Sequence, residues 1–223
     1  ARKHLALQAV FGQQVLRKAS YIFRAEWGIM KSTLNRNLWL YFGGKNVEII
    51  VKPLQGIFWE NNSILLGEKI ESVRLTFINT NIRTEFYNSN PSFFLFDNDL
   101  RVDFDNNNRV EFIEFLDGLI SRLQPLIYGV DFFKTKADLI FELLKNKNCG
   151  NITDNSNGYD YQFKNISIGI YREATPQSLL KFISEIQSDA NIDKAVKEEN
   201  IKEEILKANY WATLGIGTEN YYL

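Results

Sequence analysis

Seven carboxylates, Asp97, Asp99, Asp103, Asp105, Glu111, Glu114 and Asp117, are concentrated in a stretch that holds only Arg101 and Arg109 as basic residues. That density suits three chemistries. Paired carboxylates such as Asp103 with Glu111 can perform acid/base hydrolysis, one carrying a proton while the other stays ionised. Closely spaced oxygen donors also suit calcium: Asp103, Asp105, Asn107, Glu111 and Glu114 fall at positions one, three, five, nine and twelve of a calcium loop, with Val110 at the apolar eighth. Third, a row of uncompensated acids attracts a basic protein surface and speeds the encounter with it.

The local pattern argues against the second, while the first turns on whether the carboxylate pair is buried in a cleft. Leu100, Val102 and Phe104 alternate with Arg101, Asp103 and Asp105, an Asn106-Asn107-Asn108 turn follows, and residues 109–115 read as a second strand. This predicts a half-buried β-hairpin. A calcium loop needs helical flanks and a glycine where Asn108 stands. In a tight hairpin, moreover, Glu111 and Glu114 point to opposite faces and cannot close on one ion. The reading is a non-catalytic binding protein with no metal and no cofactor. Its expected partner is a basic protein, such as a nuclease, met by Asp97, Asp99, Asp103, Asp105 and Glu111. Two alternatives stand beside it: a self-assembly module, and a carboxylate-based hydrolase or calcium-binding module.

What the chain lacks narrows the chemistry further. Its single histidine, His4, lies in the first few residues, so catalytic triads and His-ligated metals have nothing to use. Cys149 is the only cysteine and has no histidine to make it a thiolate, which predicts an inert thiol and no intrachain disulfide. Gly215-Ile216-Gly217 lacks the third glycine of a dinucleotide loop, and Asp154 to Gly158 has the composition of a simple turn before a strand. Trp39, Trp59, Trp211, Tyr221 and Tyr222 read as core and edge-covering aromatics, since an acidic body repels the phosphates of a nucleic acid. No window reaches the roughly 18 apolar residues of a membrane span. Reduced cysteine and the absence of a span together predict a cytoplasmic protein that binds neither membrane nor nucleic acid.

The elements that must position these residues follow from patterning. With 45% hydrophobic and 14% aromatic residues in 223, and little alanine, the composition predicts an α+β fold with an ample core. Residues 1–46 hold eight Lys or Arg against Glu26 alone, a formal +7, leaving −8 for the rest. The chain accordingly divides into a basic N-terminal helix and strand over 1–46 and an acidic domain over 47–223. Leu7, Val10, Phe11, Val15, Ala19, Ile22 and Phe23 predict an N-terminal amphipathic helix within 5–27. Residues 38–42 and 47–51 flank Gly43-Gly44 as strand, turn and strand, and Pro53 closes the second. In the self-assembly alternative, the basic 1–46 segment docks on the acidic body of a neighbouring copy.

The acidic domain reads as tandem β-α-β-β-β repeats forming an antiparallel sheet packed by helices, repeat one about 47–117 and repeat two about 118–223. In repeat one a strand at 64–66 leads to a helix over 68–78, then strands at 93–96, 100–104 and 110–115. In repeat two a strand at 126–128 leads to a helix over 135–144, then strands at 159–163, 166–171 and 210–216. A helical insertion over 176–208 interrupts the second repeat, with Pro176 in the first turn of one helix and mixed Glu and Lys along the other.

Residues 47–222 resemble a group of small bacterial proteins of unassigned activity, mostly from Gram-positive genomes. The resemblance rests on VEIIVKPLQG at 47–56, Leu66-Gly67, FDNNNRVEFIEF at 104–115, NGYDYQFKNISIGIYRE at 157–173 and YWATLGIGTENYY at 210–222. Some of these proteins are thought to be immunity proteins neighbouring secreted polymorphic toxins. The resemblance therefore implies an inhibitor of a toxin and carries no catalytic residues. Residues 1–46 lie outside it.

Overall fold

The computed structural model describes residues 47–78, 82–87 and 90–222. The expected helix within 5–27, the strand at 38–42 and the basic 1–46 segment lie outside the described residues. The chain runs β1 (Val47–Lys52), β2 (Gly56–Trp59), β3 (Asn62–Leu65), α1 (Ile70–Thr76), β4 (Arg83–Tyr87), β5 (Asn90–Leu95), β6 (Leu100–Phe104) and β7 (Val110–Phe115). It continues through β8 (Leu123–Ile127), β9 (Val130–Asp131), α2 (Ala137–Asn148), β10 (Ile152–Asp154), β11 (Asp160–Phe163), β12 (Ile168–Tyr171), α3 (Pro176–Ser188), α4 (Lys194–Asn209) and β13 (Thr213–Gly217). The fold is α+β.

Two sheets organise it. A five-stranded sheet has the order β3-β2-β1-β8-β9, with β1 and β8 parallel. An eight-stranded sheet, antiparallel throughout, has the order β10-β11-β12-β13-β7-β6-β5-β4. Four strands from the first part of the chain thus lie on one side of the β7–β13 contact, and four from the second part on the other.

Alternation fixes which faces are buried. In β1, Ile49 and Val51 are buried while Glu48, Ile50 and Lys52 are exposed; in β6, Leu100, Val102 and Phe104 are buried while Arg101 and Asp103 are only partly covered. Helix α2 buries Ala137, Ile140 and Leu144 at helical spacing and ends on Cys149 in the left-handed conformation. Helix α3 starts with a capping box, in which Thr175 Oγ1 accepts from the Ser178 N–H at 3.1 Å and Ser178 Oγ accepts from the Thr175 N–H at 2.8 Å. Helices α3 and α4 bury only Ile186 and Ala208, so they stand largely in solvent. The core holds Phe93, Phe104, Phe115, Phe132 and Phe163, and Trp211, whose Nε1–H donates to the Ala137 carbonyl at 3.0 Å.

Several elements differ from the expected ones. Each three-stranded meander gains a preceding strand, β4 and β10, at the two outer edges of the large sheet. Both are short or open to solvent, so they carry little hydrophobic periodicity. Strand β2 is also additional; three of its four residues are buried, which erases the alternation that marks a half-exposed strand. Helix α1 is shorter than 68–78, and α2 starts and ends later than 135–144.

The residues after β13 fold back across the large sheet. Thr218 N–H donates to the Glu111 carbonyl at 3.0 Å and Ser167 Oγ–H to the Thr218 carbonyl at 2.7 Å. Tyr221 then stacks on Phe112, centroids 4.7 Å apart and rings 7° from parallel, with Tyr222 edge-on to Tyr221 at 5.0 Å. Glycines make room: a Cβ on Gly169 would lie 2.3 Å from Tyr222 Oη, and one on Gly215 would lie 2.3 Å from Phe112 Cζ. Gly215→Ala is therefore expected to cost about 1–3 kcal/mol through overpacking. A lowered urea midpoint at unchanged slope supports this, and an unchanged midpoint shows that Phe112 does not press on the strand.

Candidate functional site

The five acids assigned to partner contact run from the turn before β6, through β6 and the following turn, to the start of β7, and the structure divides them. Asp97 and Asp99 flank the start of β6 while Asp105 follows its end, so about six residues, or ~20 Å of strand, separate Asp99 from Asp105.

At the first end the chain makes a tight turn in which Phe96, Asp97 and Asn98 all have positive φ, at 50°, 54° and 76°. This turn presents Asp97 and Asp99 to Arg122, just before β8. Asp97 Oδ2 accepts from Arg122 Nη2 at 2.5 Å; Asp99 Oδ2 accepts from the Arg122 backbone N–H at 2.7 Å and from Ser121 Oγ–H at 3.3 Å. Asp99 is 4% exposed, and burial raises its carboxyl above the ordinary value of 3.8 despite the Arg122 N–H. It joins the two sheets and is closed to a partner. Asp97 remains exposed.

In mid-strand, Arg101 Nη2 lies 3.1 Å from both Asp103 Oδ2 and Glu114 Oε2. Cross-strand register dictates this, since Arg101 pairs with Glu114 and Asp103 with Phe112. Burial raises the Asp103 carboxyl, with Arg101 and Ser92 opposing. The register shifts between Asp103 and Phe104, leaving Glu111 as an extra residue on β7. That irregularity breaks the regular spacing on which the expected opposite facing of Glu111 and Glu114 rested, while the alternation in β6 holds. Tyr221 has both Glu111 and Glu114 as charged neighbours, together with Asp103, and its hydroxyl is held protonated by burial and by these acids.

At the far end, Asp105 Oδ1 accepts from the N–H groups of Asn107 and Arg109, each at 2.8 Å, and so fixes the turn. Glu111 lies close enough for Asp105 and Asp103 to add to burial in raising its carboxyl above the ordinary 4.5. Three of the five expected acids, Asp103, Asp105 and Glu111, therefore form one repelling group. Among the described residues, Glu111 makes no ion pair, and no group of three or more His, Cys, Asp or Glu side chains is placed to hold a metal ion.

Charge counting along the sequence did not identify Arg101 and Arg122 as the residues that neutralise Asp103, Glu114, Asp97 and Asp99. The Arg101 pairing was readable from hairpin register, whereas Arg122 comes from another element and left no local signal. Tyr221 and Tyr222, read as edge-covering aromatics, lie against Phe112 beside the acids.

Two outcomes follow. Asp99→Ala strands the Arg122 N–H and is expected to cost ~2 kcal/mol, with Asp99→Asn, which retains an acceptor, costing much less. Equal losses in urea denaturation would assign the effect to charge alone. For Glu111 the raised folded-state value means that its contribution to stability is fully present below the ordinary 4.5 and is lost as pH rises from there through the higher folded-state value. Glu111→Gln is thus expected to stabilise the fold at pH 7 by ~0.5 kcal/mol after solvent screening, and by almost nothing at pH 4. A gain that is the same at both values contradicts the repulsion.

Neither a protein-family model, nor a curated protein, nor a solved structure matches the chain.

Proposed function

We propose that this chain is a non-catalytic binding protein of the immunity type, which captures a basic toxin or nuclease through the acidic tip of the β6–β7 hairpin. One observation carries the reading: Asp105 and Glu111 gather beside Asp103 without a basic side chain bonded to Glu111, whose carboxyl is raised first by burial and further by these two acids. A basic group from a partner relieves that repulsion. A site poised this way gains binding energy that an already neutralised pair such as Arg101–Glu114 lacks. Tyr221, stacked on the buried Phe112 and itself exposed, adds aromatic surface of the kind that interfaces favour.

Of the five assigned acids, Asp105 and Glu111 are the contacts, with Asp103 contributing field from below and Asp97 a secondary exposed charge. Asp99 contributes indirectly, by holding the start of β6. The resemblance of 47–222 to small bacterial proteins, some of them thought to be immunity proteins, supports this reading. A cytoplasmic location where a toxin would be met belongs to the same proposal. So does an origin of the large sheet by duplication, for which the placement of β4–β7 and β10–β13 on opposite sides of the β7–β13 pair is the support. Among the described residues, no helix is long and apolar enough to cross a membrane.

The test is affinity capture at low salt from a lysate of the source organism, with identification of retained proteins and measurement of Kd for the captured one. Asp105→Asn with Glu111→Gln is expected to weaken binding at least about tenfold, ~1.4 kcal/mol, and to flatten its salt dependence. Asp97→Asn should weaken it less. A basic protein bound equally by wild type and double variant removes the hairpin tip as the contact.

A further inference from the structure

A second feature lies away from the acidic tip and does not depend on its role. Between the turn leading into β11 and the start of α3 is an open cavity of about 670 Å³, lined by Asp154, Gly158, Tyr161, Arg172, Gln177 and Lys181 among others. That size accommodates a small ligand or several residues of a peptide.

The floor of this cavity is Arg172, only 7% exposed. Its Nε–H donates to the Gly158 carbonyl at 2.7 Å and an Nη1–H to the Ala208 carbonyl at 3.3 Å, while the guanidinium lies 5.2 Å from the Trp211 ring. These contacts fix its plane and leave Nη2 without a hydrogen-bond partner among the described residues. Gly158, at φ +91°, lacks the Cβ that would stand 3.4 Å from Arg172 Nη2 and 3.5 Å from Tyr161 Oη. Two donors therefore border one gap. Burial and Asp154 keep the Tyr161 hydroxyl protonated, and its ring is held by Phe141 at 4.7 Å and Trp211 at 6.0 Å. Lys181 stands on α3 at the rim, in a loose 3.7 Å pair with Glu185. The one lining carboxylate, Asp154, has its Oδ1 engaged by the N–H groups of Ser156 and Gly158 at 3.1 and 2.9 Å.

We infer that this cavity is a binding site for a carboxylate, one oxygen taken by Arg172 Nη2 and the other by Tyr161 Oη, with Lys181 drawing the anion in. A phosphate suits it less well. Pro176 has no N–H to offer, and the Ser178 N–H is already taken by Thr175, so the start of α3 cannot supply the several amides that phosphates use. The carboxylate belongs either to a small organic acid or to an acidic peptide, which share this chemistry.

The test is an amide NMR titration of the full chain at fixed ionic strength, using succinate, a glutamate-rich peptide, inorganic phosphate and chloride in separate arms. Saturable shifts at Gly158, Gln177 and Ser178 are expected with succinate, with the peptide, or with both, and the arm that saturates identifies the source. Tyr161→Phe, which keeps the ring, and Lys181→Ala, on an exposed helix face, are each expected to weaken binding about fivefold or more while leaving the spectrum otherwise intact. Shifts that rise linearly and match chloride, tighter binding of phosphate than of either carboxylate, or wild-type affinity in both variants would overturn the assignment.

Discussion

The pairing of β13 with β7 is the constraint on which the rest of the domain depends. It joins residues about a hundred positions apart, Leu214 to Phe115 and Ile216 to Ile113, and through them unites the two four-stranded halves of the large sheet. Closing so long a loop is entropically costly and must be offset by burial. All five residues of β13 are buried. Leu214 and Ile216 contribute to the core, while Gly215 and Gly217 form the floor on which Phe112 and Tyr221 rest. A strand covered on both faces needs small residues on one of them here, because the returning tail lies directly against its backbone. The GIG sequence thus answers a packing demand, and the phosphate-binding role that such spacing elsewhere suggests has no helix to accompany it.

That same packing shapes the electrostatics. Phe112 occupies the position across from Asp103, Arg101 lies 5.8 Å from the Phe112 ring, and Tyr221 covers Phe112. Arg101 is held between aromatic surface and two carboxylates, where partial exclusion of water strengthens its attraction to both. Near Arg122, by contrast, a turn of three positive-φ residues points Asp97 and Asp99 across to the small sheet. Two arginines therefore divide the acidic run into internal pairs and a remainder. The remainder is at the hairpin tip, where Asp105 is constrained by its own turn amides and Glu111 is displaced by the bulge.

Much of this fold was legible in the sequence. The β6–β7 hairpin was readable because Leu100, Val102 and Phe104 keep strict period two, and α2 because Ala137, Ile140 and Leu144 keep helical spacing. Both patterns reflect one buried face against one wet face. The helical insertion announced itself through Pro176 and its mixed charges. Strands β4 and β10 did not, since an edge strand of a few residues lacks enough repeats to show a period. The acidic patch was legible only as a composition. Formal charge cannot register that Asp99 is buried, or that Arg122 reaches back to Asp97 over 25 positions of chain. The Arg172 cavity was hidden for a related reason: its walls come from the turn before β11, the end of β12 and the first turn of α3, three places that share no motif.

These two surfaces have opposite electrostatic tendencies, yet they need not oppose each other. From β7 to β11 the order is β7, β13, β12, β11, three steps of about 4.8 Å, or ~14 Å across the sheet. At physiological ionic strength the screening length is about 8 Å, so exposed charges at the hairpin tip are largely hidden from Lys181. Arg172 is further insulated, because its guanidinium is anchored to two carbonyls and backed by Trp211. A net charge of −8 over residues 47–223 is therefore a poor guide to what either surface binds. What governs each is local: burial with like-charged neighbours at Glu111, and two donors around the missing Cβ of Gly158. Any communication between them has to travel through β13 and β12, whose register is locked by Gly169 against Gly215 beneath Tyr222. Packing of that kind leaves each surface governed by its own neighbours.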